Sequence, residues 1–331
     1  MKTIDVNGVL KELKLDPLEK GLQLIGGEEL AADAFPRIDT DRPALVFQLD
    51  APDVIHRAAQ TLRVNYPKTH PITILNGKRQ EQMTLDELPD ASVGRNAVLY
   101  IPPLPYASSP LTLANIMGRL RAPNGCPWDR EQTHESITRA LIEETYEVIE
   151  AISDKDMTHL KEELGDLWLH VLFQTQIARD ENEFRLSEVG AELAAKLIRR
   201  HPHVFGDVQA ANAAEVLKNW EVIKQQEKKD KGQTAHASAL DSGIPRELPA
   251  LTRAQKVQER ARRKKLQAAN GKRPSTAVEL GKKISRARNR ERVVGELLLE
   301  LAGIAEKHGI DAERALRAAT KEYVQEKSDG R

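Results

Sequence analysis

Along the chain, the alternation of apolar and polar positions changes period. Up to residue 106, short apolar runs stand between polar turns. LVFQLD (45–50), ITILNG (72–77) and AVLYIPPLP (97–105) predict short buried strands, and Pro52 to Leu62 predicts a helix between the first two. The repeated prolines of IPPLPYASSP (101–110) block both helix and sheet ladder and predict a linker. From 111 to 230 the period is helical. It predicts helices over Thr112–Arg121, from an N-cap at Thr133 to about Ser153, from Asp156 or Thr158 to about Asp180, over Leu186–Arg200 and over Ala213–Lys229. In the third of these, Leu160, Leu164, Leu167 and Val171 fall at 4-3-4 spacing and predict a bundle seam. KGQTAHASALDSGIPRELPA (231–250) predicts a second linker, and 251–331 reads as helical again. The expected fold is mainly α, preceded by a small α/β region.

Composition adds bounds. The 331 residues suit about two domains, and 30% charged with 4% aromatic residues favours helices. Lys+Arg and Asp+Glu are both 50, so global charge points to no partner. Charge is uneven locally: 253–292 holds fifteen Lys/Arg and three Glu, a net of +12. The single cysteine, Cys126, cannot form an intramolecular disulfide and fits a reducing compartment. No His/Asn arrangement makes it a nucleophile, and it reads as a small buried apolar residue. The first twenty residues lack a long apolar segment, and no run approaches the 18 apolar residues of a membrane span. The expected address is the cytoplasm, without a membrane partner.

The chemistry is concentrated in two acidic steps among apolar positions. Glu143, Glu144 and Glu147 stand on the helix that carries Ile137, Leu141, Val148 and Ile152; Glu163 and Asp166 stand on the next. Residues three and four apart share a helix face. A loop as short as SDKDM (153–157) makes the two helices antiparallel neighbours, so the clusters can meet. Like charges about 4 Å apart repel by roughly 4 kcal/mol at an effective dielectric near 20. A hard divalent cation such as Mg²⁺ offsets that repulsion and also takes phosphate oxygens. Gly165 inside the second helix costs about 1 kcal/mol against alanine, which suggests a close approach there. Against this stands a plain alternative, that Glu-rich helical faces are solvated surface. Lys196, Arg199 and Arg200 offer partners for phosphate, or simply cations at a helix C-terminus. His170, one turn after Asp166, is either a supporting donor or a satisfied core or interface histidine. Trp128 either stacks on a base or plugs the bundle end.

These residues resemble the MazG family of all-α nucleoside triphosphate pyrophosphohydrolases. The family signature Glu-Glu-x-x-Glu then Glu-x-x-Asp stands here as EETYE (143–147) and ELGD (163–166), flanked by GCPWDREQT (125–133), RRHPHVFGD (199–207) and NWEVIKQQEK (219–228). The resemblance covers about 111–230. It implies Mg²⁺-dependent hydrolysis of NTPs or dNTPs to the nucleoside monophosphate and pyrophosphate, with Mn²⁺ able to substitute, as nucleotide-pool housecleaning. Glu144, Glu147, Glu163 and Asp166 would be metal ligands, and Glu143 would ligate or hold the attacking water. Lys196 and Arg200 would contact the triphosphate, with Arg199 and Trp128 as further candidates. Family members work as dimers, so a homodimer is expected.

Two further segments resemble family pieces. Residues 245–331 look like a worn second copy of the helical domain, with Val293 in place of Glu163, Glu296 in place of Asp166 and Gln325 in place of Arg200. Its paired-Glu helix, AVELGKKISRARNRE (277–291), has Glu279 as its one acid before Glu291. That copy is expected to be structural. The N-terminal LQLIGGEELAADAF, LVFQLDAPDVIHRAAQTLRVNYPKTHPITILNG and LYIPPLP look like the C-terminal half of a tetrapyrrole methylase-like domain, without the Gly-rich half that would hold S-adenosylmethionine. The domains implied are thus 1–106, 111–230 and 245–331. The competing reading is a nucleic-acid-binding or regulatory protein that uses the basic 253–292 stretch on an inactive scaffold. That stretch has no aromatic residue to stack bases, so nucleic acid is the less favoured partner.

Overall fold

The structure is a computed structural model that describes residues 5–94, 96–230, 243–263, 281 and 284–328. Two compact units emerge, residues 1–196 and 197–331. The architecture is mainly α with a small N-terminal sheet, as the patterning predicts.

In the first unit, helix α1 (Val6–Leu13) precedes a five-stranded mixed sheet built from β1 (Gln23–Gly26), β2 (Ala44–Phe47), β3 (Pro71–Asn76), β4 (Arg79–Thr84) and β5 (Val98–Ile101). The spatial order is β1-β2-β5-β3-β4; β1 and β2 run parallel and every other pairing is antiparallel. Alternate side chains face opposite sides of a strand. Ala44 and Val46 accordingly join Ile72, Ile74, Leu99 and Ile101 in a core under α2 (Gly27–Ala32) and α3 (Pro52–Leu62). Leu45 and Phe47 pack with Leu75 and Val98 against Val6, Val9, Leu10 and Leu13 of α1. Being covered on both faces, β2 is apolar throughout, and so legible in the sequence. Two strands were not predicted. β4 (RQEQMT) lies at a sheet edge with exposed polar side chains, and β1 is a short edge strand. The sequence did signal β4's turn: the loop Gly77-Lys78, with Gly77 at φ 64° in the first central position, closes the β3–β4 hairpin.

The Pro-rich segment expected as a linker is tied to the sheet region instead. Leu104 N–H donates to Thr40 O at 2.8 Å, and the Asp41 carboxylate accepts from Ser108 N–H at 2.9 Å and Ser109 N–H at 3.2 Å. These bonds, with those from the Ser108 and Thr112 hydroxyls, keep Asp41 below its ordinary range against the opposing effect of burial. Ser109, itself buried, caps α4 (Pro110–Leu120) by accepting from Leu111 N–H.

The remainder of this unit is helical: α5 (Pro127–Glu131), α6 (Thr138–Asp154), α7 (Met157–Asp180) and most of α8 (Leu186–Arg200). Thr133 is not the N-cap of α6. Its N–H and side chain exchange hydrogen bonds with Ser136 in a separate turn, and the helix starts at Thr138. Met117, Ile137, Leu172, Phe173 and Ile177 form the local core where α4 meets α7. The expected seam on α7 is displaced. Leu164 and Val171 are 51% and 50% exposed, while Glu163, His170 and Ile177, at seven-residue spacing, are buried. The connection from α6 explains the difference, because it fixes which face of α7 turns inward.

In the second unit, α9 (Pro202–Phe205) and α10 (Ala213–Asp230) follow α8, and α11 (Ala250–Arg263), α12 (Arg290–Lys307) and α13 (Ala312–Ser328) form the C-terminal part. Ala302 of α12 is fully buried, and Gln255 on α11 ties down the α12–α13 turn through Ile310 O and Ala312 N–H. Residues 231–242 of the expected linker lie outside the described residues, as do Glu279 and much of the basic stretch. In the described part of that stretch, Arg263 pairs with Glu259, Arg292 with Glu296 and Arg262 with Glu306. No described helix is long and apolar enough to cross a membrane.

Candidate metal centre

A two-residue connection builds the acidic site. Lys155, left-handed at φ 58°, ends α6, and Asp156 N–H donates back to Ala151 O. The Asp156 side chain then caps α7 by accepting from Thr158 N–H and His159 N–H, both at 3.0 Å. Glu147 and Glu163 each stand eight residues from Lys155, and Glu144 and Asp166 each stand eleven. With a rise of about 1.5 Å per residue, both pairs lie level across the antiparallel helices.

The carboxylates converge accordingly. One carboxylate oxygen from each of Glu144, Glu163 and Asp166 lies within 4.8 Å of the others, a spacing that suits ligands of one metal ion. Glu163 is 6% exposed, and its Oε2 has no hydrogen-bond partner. Burial, then the neighbouring Glu147, Asp166 and Glu163 carboxyls, push the Glu144 carboxyl up to about 7. A buried carboxylate oxygen with no donor and an acid that retains its proton near neutrality both mark missing positive charge. The residues present therefore fit a hard cation, which prefers carboxylate oxygens. Among the described residues this is the one such group, and the C-terminal helices contribute none.

The remaining candidates are placed as follows. Glu147 interacts with Glu144 but falls outside the close triad. Glu143 is exposed and paired with Arg139 at 3.0 Å. Lys196 is half-buried on α8. Arg199 and Arg200 both grip Glu227 of α10, at 2.7 and 2.6 Å, and Arg200 also lies over the Trp220 ring. Hydrogen bonds from the two arginines hold Glu227 down to about 2 despite its burial. His170 is not a satisfied core histidine: it is buried, Nδ1 lacks a partner, and burial pushes its pKa down. Among the described residues, a Cβ built on Gly165 would meet nothing within 4 Å, so the facing helix makes no close approach there.

Trp128 is 61% exposed on α5 and edge-on to Phe173, so it does not plug the bundle. A tight loop sets its position. A Cβ on Gly125 would fall 2.2 Å from Leu120 O, so only glycine lets Cys126 N–H donate to that carbonyl at 2.8 Å. Cys126 is half-buried, not fully buried, because it sits at the mouth of this loop. Arg121 braces the same loop. It bonds Asp129 O and Gln132 O, pairs with Asp180 at 2.8 Å and lies over Phe173.

Three of these residues escaped the sequence reading. His159, whose Nε2 stands 2.9 Å from Glu163 Oε1, was signalled by its i,i+4 spacing to that acid. Glu227 and Arg121 carried no local signal, since each acts on residues distant in sequence.

Similarity to known proteins falls on the same segment. Residues 132–205 match the MazG nucleotide pyrophosphohydrolase domain. A Thermotoga maritima protein named nucleoside triphosphate pyrophosphohydrolase/pyrophosphatase MazG is 42% identical over 218 residues, 64% of this chain and 82% of its own length. The Escherichia coli K12 nucleoside triphosphate pyrophosphohydrolase is 52% identical over 149 residues, 45% of this chain and 55% of its own. The uncharacterized Bacillus subtilis protein YabN is 36% identical over 256 residues, 74% of this chain and 50% of its own. The matches thus span about half the length of the last two relatives.

Proposed function

Because the chain belongs to the MazG family, we propose that it hydrolyses nucleoside triphosphates, NTP or dNTP, to the monophosphate and pyrophosphate, as a cytoplasmic guard of the nucleotide pool. The observation that carries the reading is the convergence of Glu144, Glu163 and Asp166 around an unpartnered buried carboxylate oxygen. Glu144, Glu147, Glu163 and Asp166 would hold Mg²⁺, or Mn²⁺ in its place. When bound, the cation supplies positive charge to phosphate oxygens and acidity to a water.

The chain's own groups do the remaining work. Glu143 is free enough to orient the attacking water and accept its proton once Arg139 releases it. Lys196, Arg199 and Arg200 supply charge for the triphosphate, and the exposed Trp128 offers a face for the base. Positioning and charge neutralisation are the principal requirements of phosphoryl transfer.

The protein is proposed to act as a homodimer. Ile142, Ile149, Leu164, Trp168, Leu169 and Val171 of α6 and α7 are all exposed in the single chain. Large apolar side chains left exposed on neighbouring helices are candidates for association. We assign 1–106 to an accessory methylase-like remnant, 111–230 to catalysis and 245–331 to structure. The test is a panel of NTPs and dNTPs with Mg²⁺, scored for pyrophosphate against orthophosphate. Pyrophosphate is expected; orthophosphate as the primary product would reject attack between the α and β phosphates.

A further inference from the structure

Glu163 has two oxygens in different situations. Oε1 stands 2.9 Å from His159 Nε2, and Oε2 is buried without a partner. His159 is itself held in place, because its backbone N–H belongs to the Asp156 cap at the first turn of α7. One helical turn separates it from Glu163, the spacing at which side chains meet. A glutamate has three rotatable side-chain bonds. Left alone, the Glu163 carboxylate could turn both oxygens to the cation or neither; with Oε1 engaged, one oxygen remains to offer.

We propose that His159 is a positioning residue for the cation site, holding Oε1 of Glu163 so that Oε2 is the oxygen presented to the metal. The proposal rests on the metal-dependent reading above and deepens it. Donors that orient a ligating carboxylate typically contribute about 10- to 100-fold in metal affinity. His159 is partly exposed at the edge of the helix pair, so replacing it leaves no cavity in the core.

The test titrates Mn²⁺ into metal-free full-length protein and reads free Mn²⁺ by electron paramagnetic resonance. Wild type is compared with His159→Ala, His159→Gln and Glu163→Gln. His159→Ala should weaken Mn²⁺ binding about tenfold, near the lower end of that range. His159→Gln, which retains an N–H donor, should recover most of the loss. In turnover, His159→Ala should raise the Mg²⁺ concentration needed while approaching wild-type kcat at saturation, a split that loss of fold would not produce. If His159→Ala binds Mn²⁺ as tightly as wild type while Glu163→Gln has lost it, the positioning role is overturned and the metal reading stands. If His159→Gln is as weak as His159→Ala, donation is not the cause and the proposal is also overturned. Wild-type protein that binds no Mn²⁺ overturns the metal reading and this proposal together.

Discussion

The raised Glu144 carboxyl makes a quantitative prediction. Its ordinary value is 4.5 and its folded value is about 7. The folded chain therefore takes up a proton between these values that the unfolded chain does not. The stabilisation is fully present below 4.5 and is lost as pH rises through 7. At about 1.36 kcal/mol per pH unit the ceiling is roughly 3 kcal/mol. Glu144 itself is only half-buried, and screening reduces the expectation to about 1–2 kcal/mol. In metal-free buffer, the stability of wild type relative to Glu144→Gln should fall by that amount between pH 5 and pH 8. Cation binding must expel the same proton. From a value near 7, Glu144 is about 90% protonated at pH 6 and about 10% at pH 8. Isothermal titration with Mn²⁺ in buffers of different ionisation enthalpy should thus report about 0.9 proton released at pH 6 and about 0.1 at pH 8. A release that does not change with pH, or a relative stability that rises from pH 5 to pH 8, would refute the reasoning.

Further outcomes follow from the same geometry. Glu147→Gln and Asp166→Asn should abolish turnover with an unchanged circular dichroism spectrum, and should raise the metal-free melting temperature; full activity at ordinary Mg²⁺ would sink the site. Glu144→Gln alone should leave essentially no hydrolysis, because the described C-terminal helices hold no second acid cluster; persistent turnover would locate a second site. Arg121→Ala should cost about 1–3 kcal/mol in chemical denaturation, since it removes a buried guanidinium from two carbonyls while the exposed Asp180 is left to solvent. Trp168→Glu should shift the mass seen by light scattering toward one chain, and an unchanged mass would remove α7 from the proposed dimer contact.

Legibility in the sequence followed how local each signal was. β2, α3, α8 and the α7 start at Asp156 were readable because apolar runs, caps and periodicity lie within a few residues. β4 was not, since an edge strand needs no apolar face. The acid pairs were readable because α6 and α7 are adjacent in sequence. The displaced seam was not: Leu164 and Val171 satisfy helical spacing as well as Glu163 and His170 do, and only the turn decides which set faces inward. The grip of Glu227 on Arg199 and Arg200 spans 27 and more residues and left no periodic trace.

The Lys155–Asp156 turn has a consequence for how this chain can vary. Surface connections usually tolerate insertions, because lengthening a loop adds little closure entropy. Here a single added residue would shift α7 along α6 by about 1.5 Å or rotate its face by about 100°. Either change would separate Glu144 from Asp166 while leaving both helices intact. The fold could absorb such an insertion, and the pairing of the acids could not. An inserted residue in this one connection that is not absorbed as a bulge should therefore weaken Mn²⁺ binding while leaving both helices folded.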